Sequence, residues 1–103
     1  MHLETCFVVA PDHPAFAGHF PDNPIVPGVL LLDAAVHAVQ QALATGGAAA
    51  QACRISAAKF LSPVGPGESL TLSCRPGAGG IHFEIRSGAR TVATGTIVPP
   101  PPP

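Results

Sequence analysis

The stretch PGVLLLDAAVHAVQQALATGG, residues 27–47, decides how this chain of 103 residues folds. A proline suits the first turn of a helix and a glycine pair stops one, so the stretch predicts a helix of about 18 residues. Its only charged residue is Asp33, which shares one narrow polar stripe with His37 and two glutamines. A helix that is otherwise apolar all round is expected in the middle of a structure, enclosed by a sheet or by a partner subunit.

Five strands are predicted around this helix, at Leu3–Val9, Cys53–Phe60, Glu68–Arg75, Ile81–Arg86 and Arg90–Val98. Glycine-containing turns at residues 76–80 and 87–89 join the last three strands, of which the first two alternate between apolar and polar side chains. Strands joined mostly by short turns pair antiparallel. The sequence therefore predicts an α+β fold, in which an antiparallel sheet wraps around one central helix.

Composition bounds the class of protein. A chain of 10.4 kDa is large enough for one core, so we expect a single domain over residues 1–98, followed by a disordered proline tail at 99–103. Charged residues make up 11% of the chain and the net charge is −1, with no basic run, which excludes nucleic acid as an expected partner. We expect no membrane span, no signal peptide and a cytoplasmic protein. Three widely spaced cysteines predict buried free thiols.

A proline-rich loop precedes the helix, and loop and helix start together read GHFPDNPIVPGVLLLDA over residues 18–34. His19 in this loop has the chemistry of a general base near neutral pH. We expect Asp33, buried in an apolar helix, to favour its protonated form and to act as an acid. Gly28 lies in the first helical turn, where free N–H groups and the helix dipole stabilise a carbonyl that becomes an enolate.

This string resembles the signature of the 3-hydroxyacyl-[acyl carrier protein] dehydratases of the hot-dog fold, and AKFLSPV at residues 58–64 resembles the strand that follows their helix. The resemblance implies that His19 removes the proton next to the thioester, that Gly28 N–H holds the carbonyl, and that Asp33 protonates the departing hydroxyl. It also implies a homodimer in which His19 and Asp33 of one site come from different subunits, an acyl tunnel along the interface, and no cofactor. Phe60 is expected in the core, with a second possibility of lining the tunnel.

Two departures from the family pattern concern charge near the site. His37 stands where the family usually has glutamine, and we expect its imidazole to hydrogen-bond Asp33 one turn away and to take part in substrate binding. Asp22 replaces a frequent glycine beside His19. Asp33 and His37 have the i, i+4 spacing of metal ligands, but no third and fourth ligands are evident, so no metal site is predicted.

The resemblance implies a lyase that converts 3-hydroxyacyl thioesters on an acyl carrier protein into trans-2-enoyl thioesters, in fatty-acid, specialised lipid or polyene biosynthesis. Two alternatives stay open. One is a thioesterase of the same fold, in which a carboxylate activates water. The other is a non-catalytic subunit that completes a heterodimer. A loop histidine bonded to backbone carbonyls and an aspartate on a polar helix face are the plainer interpretations of His19 and Asp33.

Overall fold

The computed structural model describes residues 2–9, 26–45 and 53–99. In chain order they form β1 (Leu3–Val8), α1 (Gly28–Thr45), β2 (Arg54–Phe60), β3 (Ser69–Gly77), β4 (Gly80–Ser87) and β5 (Arg90–Val98). The predicted helix and strands are confirmed, with ends that differ by at most two residues. His19, Asp22 and the proline tail beyond Pro99 lie outside the described residues.

The strands form one sheet in the order β1-β3-β4-β5-β2, and every neighbouring pair is antiparallel. The hairpins β3–β4 and β4–β5 form its centre. β1 pairs with β3 on one side, and β2 pairs with β5 on the other, with an irregularity between Ile55 and Ala57. Within the described part of the chain, β2 has a strand partner on one side only, so its second row of backbone N–H and C=O groups is open to pairing.

Alternation along the central strands places one set of side chains on the inner face, against α1. Leu72, Ile85 and Ile97 on this face are fully buried. The prediction of buried thiols is confirmed for Cys74, which faces the core, but it is wrong for Cys6, whose position on the outward-facing side of β1 leaves it exposed. Burial raises the pKa of the Cys74 thiol, because desolvation disfavours the thiolate.

The β3–β4 turn is shorter than the predicted 76–80 segment. Pro76 pairs with Ile81 and Gly77 with Gly80, so Ala78 and Gly79 alone form the turn. Gly79 has φ +83° and Gly80 has φ +144°, conformations that allow the chain to reverse within two residues. The turn lies within the predicted segment, but turn-forming residues alone do not show how far strand pairing continues into that segment.

Helix α1 packs one face on the sheet and leaves the opposite face open. Leu31, Ala35 and Val39 are buried at helical spacing, whereas an exposed stripe runs along the other side. The members of that exposed stripe are Val29, Asp33, His37 and Gln41. The expected enclosure by a sheet is confirmed for this one side of the helix, and the exposed stripe is the side on which the sequence also allowed for a partner subunit.

The β2–β3 loop, residues 61–68, is fixed by the carboxylate of Glu68. This carboxylate accepts hydrogen bonds from Gly65 N–H at 2.5 Å, from Ser87 Oγ at 2.8 Å and from Arg90 Nη2 at 2.8 Å. Arg90 Nη2 also donates to the Pro63 carbonyl oxygen at 3.2 Å. The loop is thus fastened to the β4–β5 turn by one carboxylate and one guanidinium.

Glu68 makes the stability of the fold depend on pH. The Gly65 and Ser87 hydrogen bonds, together with Arg90, hold the pKa of Glu68 below its usual value of 4.5. A group whose pKa is lowered in the folded state contributes stability above its unfolded pKa and loses that contribution as pH falls through the folded pKa. We expect Glu68→Gln to lower the urea midpoint at neutral pH, and the difference from wild type to shrink as pH falls below 4.5.

Glu84→Gln is the matched control, because Glu84 pairs with Arg86 at 3.3 Å on the outer face, where both side chains are more than one-third exposed. Exposed pairs contribute about 0–1 kcal/mol, so this change is expected to shift the midpoint less. A difference between wild type and Glu68→Gln that stays constant across the pH range would contradict the prediction.

Candidate active site

A groove lies where the start of α1 meets the end of β2. Its walls come from the first turns of the helix and from the β2–β3 loop. They are formed by Val26, Gly28, Leu31, Phe60, Leu61, Ser62, Pro63 and Val64. Two residues that the sequence singled out, Gly28 and Phe60, thus meet in one place, and the surrounding walls are mostly apolar.

Gly28 and Phe60 are in close contact. A Cβ atom at position 28 would lie 2.7 Å from Phe60 Cζ and 2.9 Å from Cε1, closer than real side-chain contacts allow. Glycine at this position therefore lets the aromatic ring lie against the helix start. Phe60 is 51% exposed, so the expectation of a core phenylalanine is wrong. It is the last residue of β2, which has a strand partner on one side only within the described residues.

The start of α1 is held by backbone hydrogen bonds. Val26 N–H donates to the Val64 carbonyl oxygen at 2.7 Å, and Leu30 N–H donates to the Pro27 carbonyl oxygen at 3.0 Å. The first N–H groups of a helix, that of Gly28 among them, have no acceptor within the helix and lie at the positive end of its dipole. This end of the groove is therefore suited to hold a carbonyl oxygen that gains negative charge.

Asp33 and His37 lie away from this groove. Both are exposed on the open stripe of α1, and neither lines the groove. The expected burial of Asp33 is wrong for the described part of one chain, because this stripe faces away from the sheet. The structure also has no hydrogen bond or ion pair between these two described side chains, contrary to expectation. One chain thus places Gly28 and Phe60 together, and Asp33 on a different surface.

Residues 61–64, which form much of the groove wall, were not singled out in the sequence as site residues. The signal for them was the resemblance of AKFLSPV, residues 58–64, to the family's strand after the helix, which indicated a strand and not a groove wall. His19, the predicted base, lies outside the described residues, so its distance to Gly28 and Asp33 stays a prediction.

A second, broader concavity lies on the outer face of the sheet, opposite α1. Its floor is a polar row in register across the strands, from Glu4 through Ser73, Glu84 and Thr94 to Lys59. Of the predicted site residues that the structure describes, none lines it, which favours the groove at the helix start as the candidate active site.

Residues 2–9, 26–45 and 53–99 contain neither a membrane-spanning helix nor a metal-binding cluster. No helix there is long and apolar enough to cross a membrane. The same ranges contain no group of three or more His, Cys, Asp or Glu side chains placed to hold a metal ion.

The chain is similar in sequence to known proteins. The model of the ApeI-like family, described as ApeI dehydratase, matches residues 1–96. The 3-hydroxyacyl-[acyl-carrier-protein] dehydratase FabZ of Actinobacillus pleuropneumoniae serotype 5b is 45% identical over 69 residues, which are 61% of this chain and 45% of that protein. The chain thus spans about half the length of this curated relative.

Solved structures agree on the fold. The dehydratase heterocomplex ApeI:P from Xenorhabdus doucetiae matches with a TM-score of 0.74 and 25% identity, over 94% of this chain and 85% of that one. The fluoroacetyl-CoA thioesterase FlK matches with a TM-score of 0.65 and 18% identity, over 94% and 82%, a likeness of fold alone. With a five-stranded antiparallel sheet around one helix and a family match over residues 1–96, the chain has the hot-dog fold and belongs to the ApeI-like dehydratase family.

Proposed function

We propose that this protein is a hydro-lyase that removes water from 3-hydroxyacyl thioesters carried by an acyl carrier protein. The observation that carries the proposal is the family match, because residues 1–96 include His19, Gly28 and Asp33. The FabZ relative is named for this reaction, and the ApeI:P complex is named a dehydratase. The apolar groove at the helix start supports an acyl thioester as the ligand.

His19, Gly28 and Asp33 each have one role in this reaction. His19 takes the proton from the carbon next to the thioester carbonyl, and the electron pair moves toward the carbonyl oxygen, which accepts a hydrogen bond from Gly28 N–H. The electron pair then returns to form the double bond between C2 and C3 as the bond from C3 to its hydroxyl breaks, and Asp33 gives its proton to the departing oxygen to form water. The products are the 2-enoyl thioester, a protonated His19 and an ionised Asp33, and proton exchange with solvent restores both groups.

We further infer that a complete site needs two chains. Within the described residues, Gly28 faces the groove, whereas Asp33 and His37 lie on the exposed stripe. A second chain placed against this stripe and against the open edge of β2 would cover Val29, which is 60% exposed, and Leu61, which is 49% exposed. It would also remove Asp33 from water, which favours the protonated acid that the reaction needs.

His37 and Phe60 complete the proposal as substrate-contacting residues. Phe60 forms part of the groove wall, and its ring offers an apolar surface to the acyl chain next to the thioester. His37 lies one helical turn beyond Asp33 on the same stripe, within reach of a chain that passes along it. The ApeI:P dehydratase is a heterocomplex, so a second, different hot-dog chain is the alternative occupant of this interface.

The reaction is tested in the reverse direction, by adding purified protein to 2-enoyl thioesters on coenzyme A and on a carrier protein. We expect the ultraviolet absorbance of the conjugated enoyl thioester to disappear with wild type, and His19→Ala to be at least about a hundredfold slower, since a general base contributes roughly 10²–10⁴. His2→Ala, which changes an exposed histidine on the outer face, is the control and is expected to keep the wild-type rate.

Release of free thiol would instead support a thioesterase. Absence of any reaction with wild type, across chain lengths and on a carrier protein, would contradict the proposal in favour of a heterodimer subunit.

Shared sites are tested by refolding His19→Ala and Asp33→Asn chains together. If each site takes His19 from one chain and Asp33 from the other, every mixed dimer has one intact site and one site with both changes. Random pairing then restores about a quarter of wild-type activity, although each variant alone is inactive. A mixture as inactive as its components would mean that each site is built from one chain.

Gly28→Ala tests the groove. The new methyl group forces the Phe60 ring away from the helix start, because it would lie 2.7 Å from Cζ. We expect kcat/KM for hydration to fall at least about tenfold, because the Gly28 N–H donor and the Phe60 wall of the groove are displaced by a fraction of an ångström. The urea midpoint should change little, because the preference of a helix for alanine over glycine, about 1 kcal/mol, offsets the cost of moving the ring.

The double variant Gly28→Ala/Phe60→Leu removes the ring that the methyl meets and is expected to recover part of the activity. Full activity of Gly28→Ala alone would contradict the role of this contact.

A further inference from the structure

We propose that Glu68 and Arg90 are positioning residues for the Gly28 end of the groove, which they reach through the β2–β3 loop. Neither side chain lines the groove: Glu68 is the last residue of the β2–β3 loop, Arg90 is the first residue of β5, and their side chains meet beside the β4–β5 turn. The inference rests on the proposed dehydratase function for its catalytic consequence. Its structural part concerns how the start of α1 is held.

The loop has three points of attachment. At its beginning, Leu61 N–H and Ser62 N–H both donate to the Val92 carbonyl oxygen, at 2.8 and 3.3 Å. At its end, Gly67 N–H donates to the Val9 carbonyl oxygen at 2.8 Å. Between these points, the segment 63–65 is held by side chains, through Arg90 to the Pro63 carbonyl oxygen and through Glu68 to Gly65 N–H.

The same middle segment holds the helix start. The Val64 carbonyl oxygen accepts the hydrogen bond from Val26 N–H at 2.7 Å, and both valine side chains are buried, at 2% and 4% exposure. Gly28 follows Val26 by two residues. A displacement of Val64 is therefore transmitted to the N–H groups at the start of α1 through one backbone hydrogen bond and two packed side chains.

The chemistry of Glu68 suits this role. Its two oxygens accept three hydrogen bonds, from a backbone N–H, a hydroxyl and a guanidinium. Glutamine has the same size but only one accepting oxygen, so at least one of these donors loses its partner in Glu68→Gln. Charge-assisted hydrogen bonds are also stronger than neutral ones, so the remaining bonds weaken.

The outer face offers a matched comparison. Glu84 and Arg86 form the other carboxylate–guanidinium contact of the described residues, at 3.3 Å and without a hydrogen bond to Arg86 Nε. Neither residue lines the groove or contacts the β2–β3 loop through a hydrogen bond. Glu84→Gln therefore removes the same charge from the same kind of partner without disturbing the helix start.

The experiment measures amide hydrogen exchange at Val26 by NMR and hydration kinetics in the same samples. For Glu68→Gln we expect Val26 exchange to become at least about fivefold faster, kcat to fall about tenfold and KM to change by less than about twofold. Glu84→Gln is expected to match wild type in all three. A purely structural role would lower the folded fraction without changing kcat per folded site.

Arg90→Gln provides a second variant, because it keeps the Gly65 and Ser87 bonds to Glu68 and removes the guanidinium bonds to the Pro63 carbonyl oxygen and to Glu68. We expect changes in the same direction, of about threefold. Unchanged Val26 exchange in both variants would overturn the proposal, and faster exchange with unchanged kcat would overturn its catalytic part. Lack of hydration by wild type would refute the proposed function alone, since Val26 exchange tests the link to the helix start independently.

Discussion

The contact on which the structure depends is the burial of one narrow stripe of α1 in the curved sheet. Leu31, Ala35 and Val39 are the helix residues that disappear from solvent, with Ala35 fully buried between the two larger side chains. They face the inner side chains of the central strands, where burial of each large aliphatic residue contributes about 1.5–3 kcal/mol. Because this stripe is seated on the sheet, the helix start meets the end of β2 and the opposite stripe faces outward.

Most of the fold could be predicted from the sequence because two different periods of apolar residues are present in one short chain. Alternation over Glu68–Arg75 and Ile81–Arg86 predicted the central strands, and the apolar run before Gly46 predicted the helix. Turn residues showed where strands reverse but not how closely, so Pro76 proved to be paired in β3. Local sequence determines which faces are apolar, whereas the extent of pairing is set by the neighbouring strand.

Prediction of the site was less complete, for a physical reason. Gly28 and Phe60 do meet, but Asp33 and Phe60 were assigned burial that this chain does not give them. An apolar helix indicates that both faces are covered without indicating which chain covers each. Glu68 was missed for a related reason, since its partners Gly65, Ser87 and Arg90 come from two loops whose proximity depends on the whole sheet.

The strand order β1-β3-β4-β5-β2 also makes the entropic cost of loop closure unequal among the strands. The β3–β4–β5 meander joins residues that are near in sequence, through turns of two residues. The outer strands are different, since Leu3 faces Cys74 and Phe60 faces Ala93 only after long segments have been closed into loops. The entropic cost of loop closure thus falls on β1 and β2, the strands at either end of the sheet. The strand that ends at Phe60 is therefore among the parts of the chain whose position depends least on contacts between sequence neighbours.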